Sequence, residues 1–264
     1  MILNKIAAAT KKRIERKKAE APLEKVKQAA LSMGSLTGLP FAAALNKPEL
    51  SFICEVKKAS PSRGVLVDEF PYLWIAREYE LAGADAISVL TEPDYFRGSD
   101  DYLAQIKEVV SLPLLRKDFV VDAYQLYETK IMGASAVLLI CALLDTQTIR
   151  DYLAICDELG LSALVEVHDE REIEAALTAQ AKIIGVNNRN LKDLTVDIGN
   201  SIRLRKLVPE NILYIAESGI KTASDIVMLR QAKVDGVLIG ETLMCSFNKQ
   251  AALAQLRDAA VRQL

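Results

Sequence analysis

Eight short β-branched apolar runs, each followed by a helical pattern, predict an α/β fold of the (β/α)8 barrel kind. Length agrees: of the 264 residues, an N-terminal extension takes about 47, and the rest approaches the roughly 250 usual for such a barrel. A weak internal echo is the third observation. AGADAISVL, MGASAVLLI, LGLSALVEV and AKVDGVLIG each end a helix in small residues and launch a strand. A doubly wound sheet is the competing fold, disfavoured by the strand number and by the lack of a G-x-G-x-x-G turn after the first strand.

In the extension, the spacing of Ile2, Leu3 and Ile6, and then of Leu23, Val26 and Ala30, predicts two short amphipathic helices. They are expected to pack on the barrel as an appendage to a single domain spanning 1–264. The basic run KKRIERKK reads as a solvated helix face, and SMGSLTGLP as the loop leading to the barrel. The strands are expected at 52–56, 86–90, 114–116, 136–140, 163–167, 183–186, 213–216 and 237–239. Between them, Pro71 marks a helix start, Asp122 with Gln125 and Thr222 with Asp225 read as capping boxes, and Gly83, Gly133 and Gly160 fall at helix C-termini.

Composition excludes several classes. With 33 basic and 35 acidic side chains the net charge is -2, which gives no global attraction to nucleic acid or to an anionic membrane. The uncharged apolar stretch 131–144 falls short of the roughly 20 residues needed to span a bilayer. The N-terminus places apolar residues before charges, the reverse of a secretory signal, so a cytoplasmic protein is expected. Cys54, Cys141, Cys156 and Cys245 lie far apart among apolar neighbours and read as small core residues. His168 is the only histidine, so acid–base chemistry falls to Lys, Glu or Asp, and no metal site is expected.

The stretch ICEVKKASPSRG then poses a question. Alternate strand residues share a face, so Glu55 and Lys57 point one way while Cys54 and Val56 point the other. Alone, that pair reads as a surface ion pair of little worth. The other strand ends change the reading, because in a barrel the loops after the C-terminal ends build the site. VLTEPDYFRGS, LRKDF, LVEVHDE, GVNNRN and IAESG deliver Lys117, Asp118, Glu166, Asn187, Arg189, Glu217 and Ser218 to the same mouth, above apolar strand bodies. ESGI and LIGETLM put Gly219 and Gly240 in the seventh and eighth loops, the frequent phosphate site of barrels, although tight turns alone also call for glycine.

Taken in order, CEVKKASPSRG, LTEPDYFRGS, LLRKDFVVDAYQ, LVEVHDERE, IGVNNRNL, IAESGI and VLIGETLM resemble the indole-3-glycerol phosphate synthase family of tryptophan biosynthesis over nearly the whole chain. The resemblance implies a ring closure without metal or cofactor: 1-(2-carboxyphenylamino)-1-deoxyribulose 5-phosphate loses carbon dioxide and water to give indole-3-glycerol phosphate. It implies that Lys117, which the apolar LPLL strand end before it is expected to leave solvent-facing, protonates the substrate ketone, that Glu166 is a base or carboxylate stabiliser, and that Lys57 with Glu55 is a second acid–base pair. Ser60, Phe119, Asn187, Arg189 and Ser218 would line the substrate site, and Phe96 would meet the anthranilate ring. Gly219, Gly240 and Glu241 would hold the phosphate, mainly through backbone amides.

Two positions depart from the family pattern: Cys245 stands where many relatives carry a basic residue, and Glu241 places an acid beside the phosphate loop. The Glu241 amide is therefore expected to point inward and its carboxylate outward. Some relatives are fused to phosphoribosylanthranilate isomerase; the end of this chain after the eighth helix predicts one activity. The expected partner is a phosphorylated small molecule, with the chain acting as a monomer or beside other tryptophan-pathway enzymes. Two alternatives remain open on the residues alone, a phosphosugar isomerase of the same barrel type and a noncatalytic phosphate-ligand sensor; the set of Lys57, Lys117 and Glu166 disfavours the first. Ser60, Pro61, Ser62 and Gly64 are expected to form a flexible lid.

Overall fold

In the computed structural model, which describes residues 2–35, 38–190 and 193–261, eight parallel strands close into a barrel. They are β1 (Ser51–Val56), β2 (Ala86–Leu90), β3 (Leu114–Lys117), β4 (Ala136–Ile140), β5 (Ser162–Val167), β6 (Ile183–Asn187), β7 (Leu213–Glu217) and β8 (Gly236–Ile239). Each pairs with its sequence neighbours, and β1 closes the ring against β8 through Ser51 opposite Gly236 and Cys54 opposite Ile239. The expected strands are all present. Three of them, β3, β6 and β7, run one residue further than expected and end in Lys117, Asn187 and Glu217. Those side chains therefore sit on hydrogen-bonded strand rather than on loop.

Period-2 alternation sorts the strand residues into two cores. Ile53, Leu115, Leu138, Leu164, Ile183, Ile215 and Leu238 fill the barrel interior. Phe52, Cys54, Val56, Val137, Val165, Ile184, Tyr214 and Val237 face the outer helices. That ring consists of α4 (Tyr72–Leu81), α5 (Asp100–Val109), α6 (Tyr124–Ile131), α7 (Thr146–Leu159), α8 (Glu170–Thr178), α9 (Gly199–Arg205), α10 (Ala223–Gln231), the short α11 (Glu241–Met244) and α12 (Lys249–Val261).

Most punctuation falls where the residues place it. Pro71 directly precedes α4, Thr222 and Asp225 form a capping box on α10, and Gly83, Gly133 and Gly160 take positive φ at helix ends. Asp122 and Gln125 differ from expectation. Asp122 accepts from the Tyr124 amide while the Gln125 side chain accepts from Val121, so the pair orders the helix approach without boxing one cap.

The extension departs further. It contains one long helix, α1 (Ile2–Glu20), then α2 (Leu23–Ser32), and a third helix the periodicity did not reveal, α3 (Pro40–Leu45). Leu36 and Thr37 of SMGSLTGLP, and Leu191 of IGVNNRNL, lie outside the described residues. Phe41 and Leu45 of α3 are fully buried among the interior strand residues, and the Ala42 amide donates to Ser162 Oγ at the start of β5, so α3 plugs the bottom of the barrel.

The basic run is not simply a solvated face. Lys11, Lys12 and Arg16 are exposed, but Arg13 makes two hydrogen bonds to Asp118 at 3.1 and 3.2 Å, Lys17 reaches Asp100 and Glu128, and Lys18 reaches Asp122. Beneath them Arg116, pointing out of β3 and 1% exposed, pairs with Asp100, Asp118 and Glu128. This network pins α1 across the loops after β2 and β3. Cysteine burial also divides: Cys54 and Cys156 are core residues and Cys141 is half-buried, whereas Cys245 is exposed, because it caps α11 at the surface.

Candidate active site

One cavity of about 730 Å³ opens at the C-terminal end of the barrel, and every sequence-derived candidate lines it: Glu55, Lys57, Ser60, Phe96, Lys117, Phe119, Glu166, Asn187, Arg189, Ser218, Gly219, Gly240 and Glu241. Its floor is the top interior layer, Leu138, Ile140 and Leu238. Its roof includes Ile2, Leu3 and Ile6, so the first turns of α1 are part of the site.

The pair that opened the question, Glu55 and Lys57, shares the inward face as alternation requires, with Lys57 Nζ 2.5 Å from Glu55 Oε1. A Cβ at Gly240 would run into the Glu55 carboxylate and the Lys57 ammonium, so glycine there leaves the pair its room. Lys117 Nζ lies at the centre, 3.3 Å from Glu166 Oε2 and 3.5 Å from Glu217 Oε2. It is not the solvent-facing lysine expected, being shut in by two carboxylates that are themselves almost wholly buried. Burial opposes its charge, but Glu217, Glu166 and Glu55 together hold its pKa above the ordinary lysine value.

The two carboxylates differ. Burial pushes Glu217 up to about 7 against the pull of Lys117. Burial acts on Glu166 too, yet Lys117, His168 and a hydrogen bond from Asn187 outweigh it and keep its pKa below the usual carboxylate value. One carboxylate is thus held ionised beside another poised to carry a proton near neutrality, the separation of roles expected of an acid–base site. Glu217 is the cavity residue that the polar strand ends named without a role. The signal was its parity: Ile215 fills the interior, so Glu217 must point the same way. Gly185 of β6 makes room for it, because a Cβ there would collide with Glu217 Oε1.

An aromatic pair and a sharp turn after β7 complete the cavity. Phe96 and Phe119 pack with their rings tilted by 38° and centroids 5.8 Å apart. The Phe96 loop is held by Glu92, which accepts the amides of Asp94, Tyr95 and Phe96, and the Phe119 amide donates to Asp118. Opposite them, Ser218 and Gly219 both take left-handed φ, turning the chain sharply after Glu217; left-handed backbone at serine costs about 1–3 kcal/mol, which the surrounding hydrogen bonds must hold in place. Asn188 ties to the Ser218 carbonyl and Thr242 to the Ile220 carbonyl, so the loops after β6, β7 and β8 are fastened together.

Glu241 does not turn its carboxylate away. It is 3.1 Å from Arg63 Nε and 3.8 Å from Arg189 Nη2, and these arginines relieve the repulsion the sequence suggested. Arg63 belongs to the loop after β1, which is not a featureless stretch: Ala59–Ser60 pairs antiparallel with Gly64–Val65. Among the described residues no cluster of three or more His, Cys, Asp or Glu is placed to hold a metal ion.

Fold and site together define a (β/α)8 barrel with a buried lysine–carboxylate cluster in the cavity at its mouth. The fold is similar to that of 3-hexulose-6-phosphate synthase from Salmonella typhimurium, with a TM-score of 0.67 over 81% of this chain and 100% of that one at 14% identity. The indole-3-glycerol phosphate synthase family model matches residues 3–256, and the chain belongs to that family. It is 56% identical to the indole-3-glycerol phosphate synthase of Ruminiclostridium cellulolyticum, over 98% of this chain and 100% of that protein. It is 52% identical to that of Endomicrobium trichonymphae, again over 98% and 100%.

Proposed function

We propose that this chain is an indole-3-glycerol phosphate synthase that closes the pyrrole ring of its product from 1-(2-carboxyphenylamino)-1-deoxyribulose 5-phosphate, with loss of carbon dioxide and water. The observation that carries this reading is the Lys117 ammonium between Glu166 and Glu217, at the centre of a cavity with an aromatic wall and two glycine loops.

The carboxyphenyl ring lies between Phe96, Phe119 and the α1 residues Ile2, Leu3 and Ile6; the phosphate lies at the amides of Gly219 and Gly240, with Arg63 and Arg189 close by. When a ring carbon attacks the ketone, negative charge builds on the ketone oxygen, and Lys117 stabilises that charge and donates the proton. Carbon dioxide leaves as the benzene ring regains aromaticity. Dehydration then needs an acid for the departing hydroxyl and a base for the proton whose loss aromatises the pyrrole. Glu166 supplies the base, Lys57 with Glu55 the second acid–base pair, and protonated Glu217 resupplies Lys117. Ser60, Asn187 and Ser218 orient the ribulosyl hydroxyls, and the anionic substrate is held at both ends so that the reacting carbons meet.

No helix among the described residues is long and apolar enough to cross a membrane, which is compatible with the cytoplasmic setting this pathway implies. Purified chain incubated with the carboxyphenylamino substrate should generate indole fluorescence that requires both substrate and folded protein. A phosphosugar isomerase or a phosphate sensor on the same barrel would bind such a ligand and produce no indole.

A further inference from the structure

His168 was set aside in the sequence because a lone histidine supports neither a metal site nor a triad, yet the structure puts it against the catalytic centre. Its ring spans two carboxylates: Nδ1 is 3.0 Å from Glu172 Oε2 on α8, and Nε2 is 3.5 Å from Glu166 Oε1 at the end of β5. Glu172 also accepts the His168 backbone amide at 2.8 Å, and Asn200 of α9 donates to the His168 carbonyl at 3.1 Å, so ring and backbone are both fixed. Buried Nε2 makes no hydrogen bond among the described residues, which leaves the Glu166 carboxylate as the group it faces.

The need for such a group comes from the near-symmetry of the centre. Lys117 Nζ is almost equidistant from Glu166 and Glu217, at 3.3 and 3.5 Å, so the ammonium alone does not decide which carboxylate keeps a proton. The far oxygens do differ. Glu166 Oε1 looks at the His168 ring, whereas Glu217 Oε1 is buried over Gly185 with no hydrogen-bond partner among the described residues. We propose that His168 is a positioning residue: wedged as a cation between Glu172 and Glu166, it makes Glu166 the ionised base and leaves the shared proton to Glu217. This rests on the acid–base roles proposed above and adds what assigns them.

The groups facing the pair from other elements favour the same assignment. Burial works against a charged imidazole, but Glu172, Glu166 and Glu217 outweigh it and hold His168 above its ordinary value. Asp169 is spent capping α8 at the Glu172 amide. The Cys141 thiol, after β4, is pushed up to about 12 by burial and stays neutral. On the Glu166 side, Lys117 of β3 and Asn187 of β6 complete the surroundings, with Glu55 of β1 acting through Lys117.

The test is the pH profile of kcat/KM for the wild type, His168→Gln and Glu172→Gln. An opposite charge at this range lowers a carboxyl pKa by about 1 unit or more, so His168→Gln should move the acid limb up by about 1 pH unit. Turnover efficiency would then fall roughly tenfold below the limb and change little above it. Glu172→Gln, at a residue outside the lining of the cavity, should move the limb the same way by less, because it weakens the charge on His168; it also decides the matter should His168→Gln fail to fold. Superimposable limbs, or a loss by one factor at every pH, would show His168 to be merely structural and overturn the proposal. A wild type that forms no indole would instead overturn the function on which it rests.

Discussion

Replacing Lys117 by Met keeps the length of the side chain and removes the ammonium that two buried carboxylates share. The chemical consequence is the loss of a positioned acid, which contributes about 10²–10⁴-fold, so kcat should fall by that factor. Substrate affinity should weaken much less, because Gly219, Gly240, Arg63 and Arg189 still line the cavity. Stability is where the structure changes the expectation. Glu166 and Glu217 are 4% and 2% exposed, and stripping a buried charge of its partner costs about 3–5 kcal/mol when the orphan stays ionised. Glu217 can escape that cost by taking up a proton, since its pKa is already about 7 with the lysine present. In the variant Glu217, already raised above its unfolded pKa and now without the pull of Lys117, carries the penalty at high pH and sheds it as pH falls toward the unfolded value. The melting temperature of Lys117→Met should therefore lie well below wild type at about pH 8 and approach it near about pH 5. Indole fluorescence gives kcat, and thermal melts at the two pH values give the rest. A variant that keeps roughly a tenth of the wild-type kcat, or whose melting deficit is the same at both pH values, would refute the reasoning.

Gly185→Ala introduces a Cβ into the Glu217 carboxylate and should lower kcat by about 10²-fold with a smaller change in KM, the signature of a misplaced catalytic group; steady-state kinetics checks it. Glu217→Gln fixes the neutral form of a carboxyl whose folded pKa is raised to about 7, so thermal melts should show stabilisation over wild type at about pH 8 and little change near about pH 5, while kcat falls. Arg13→Ala breaks two hydrogen bonds to an Asp118 that is 1% exposed and should cost about 1.5–3 kcal/mol in denaturant melts. Because α1 roofs the cavity, the same variant should raise KM more than it lowers kcat.

Much of this was legible from the residues because a barrel translates sequence parity into geometry. Glu55 and Lys57 sit two apart on one strand, and that spacing alone brought them together at the mouth. Glu217 obeyed the same parity but lacked a lysine beside it in sequence; its partner Lys117 comes from a strand a hundred residues earlier, and only barrel closure joins them. Helix α3 escaped notice because six residues carry too little periodicity, and its role as a plug depends on interior space the chain encloses only when folded. The basic run misled for the same reason. Arg13, Lys17 and Lys18 look like any solvated stripe until the acids of the loops after β2 and β3 are brought beneath them. His168 was dismissed by counting histidines, whereas its place is set by Glu166 two residues before it and Glu172 four after, a pattern that becomes informative once the strand end is known to face the cavity.

The central claim is that this mouth couples ring closure to loss of carboxylate. The direct measurement follows substrate carrying a labelled carboxyl carbon and reads carbon dioxide and indole in the same reaction. The account predicts that both appear together in equal amounts, at a rate set by the folded protein and lost with Lys117→Met. Indole without carbon dioxide, carbon dioxide without indole, or neither from well-folded wild-type chain would contradict it.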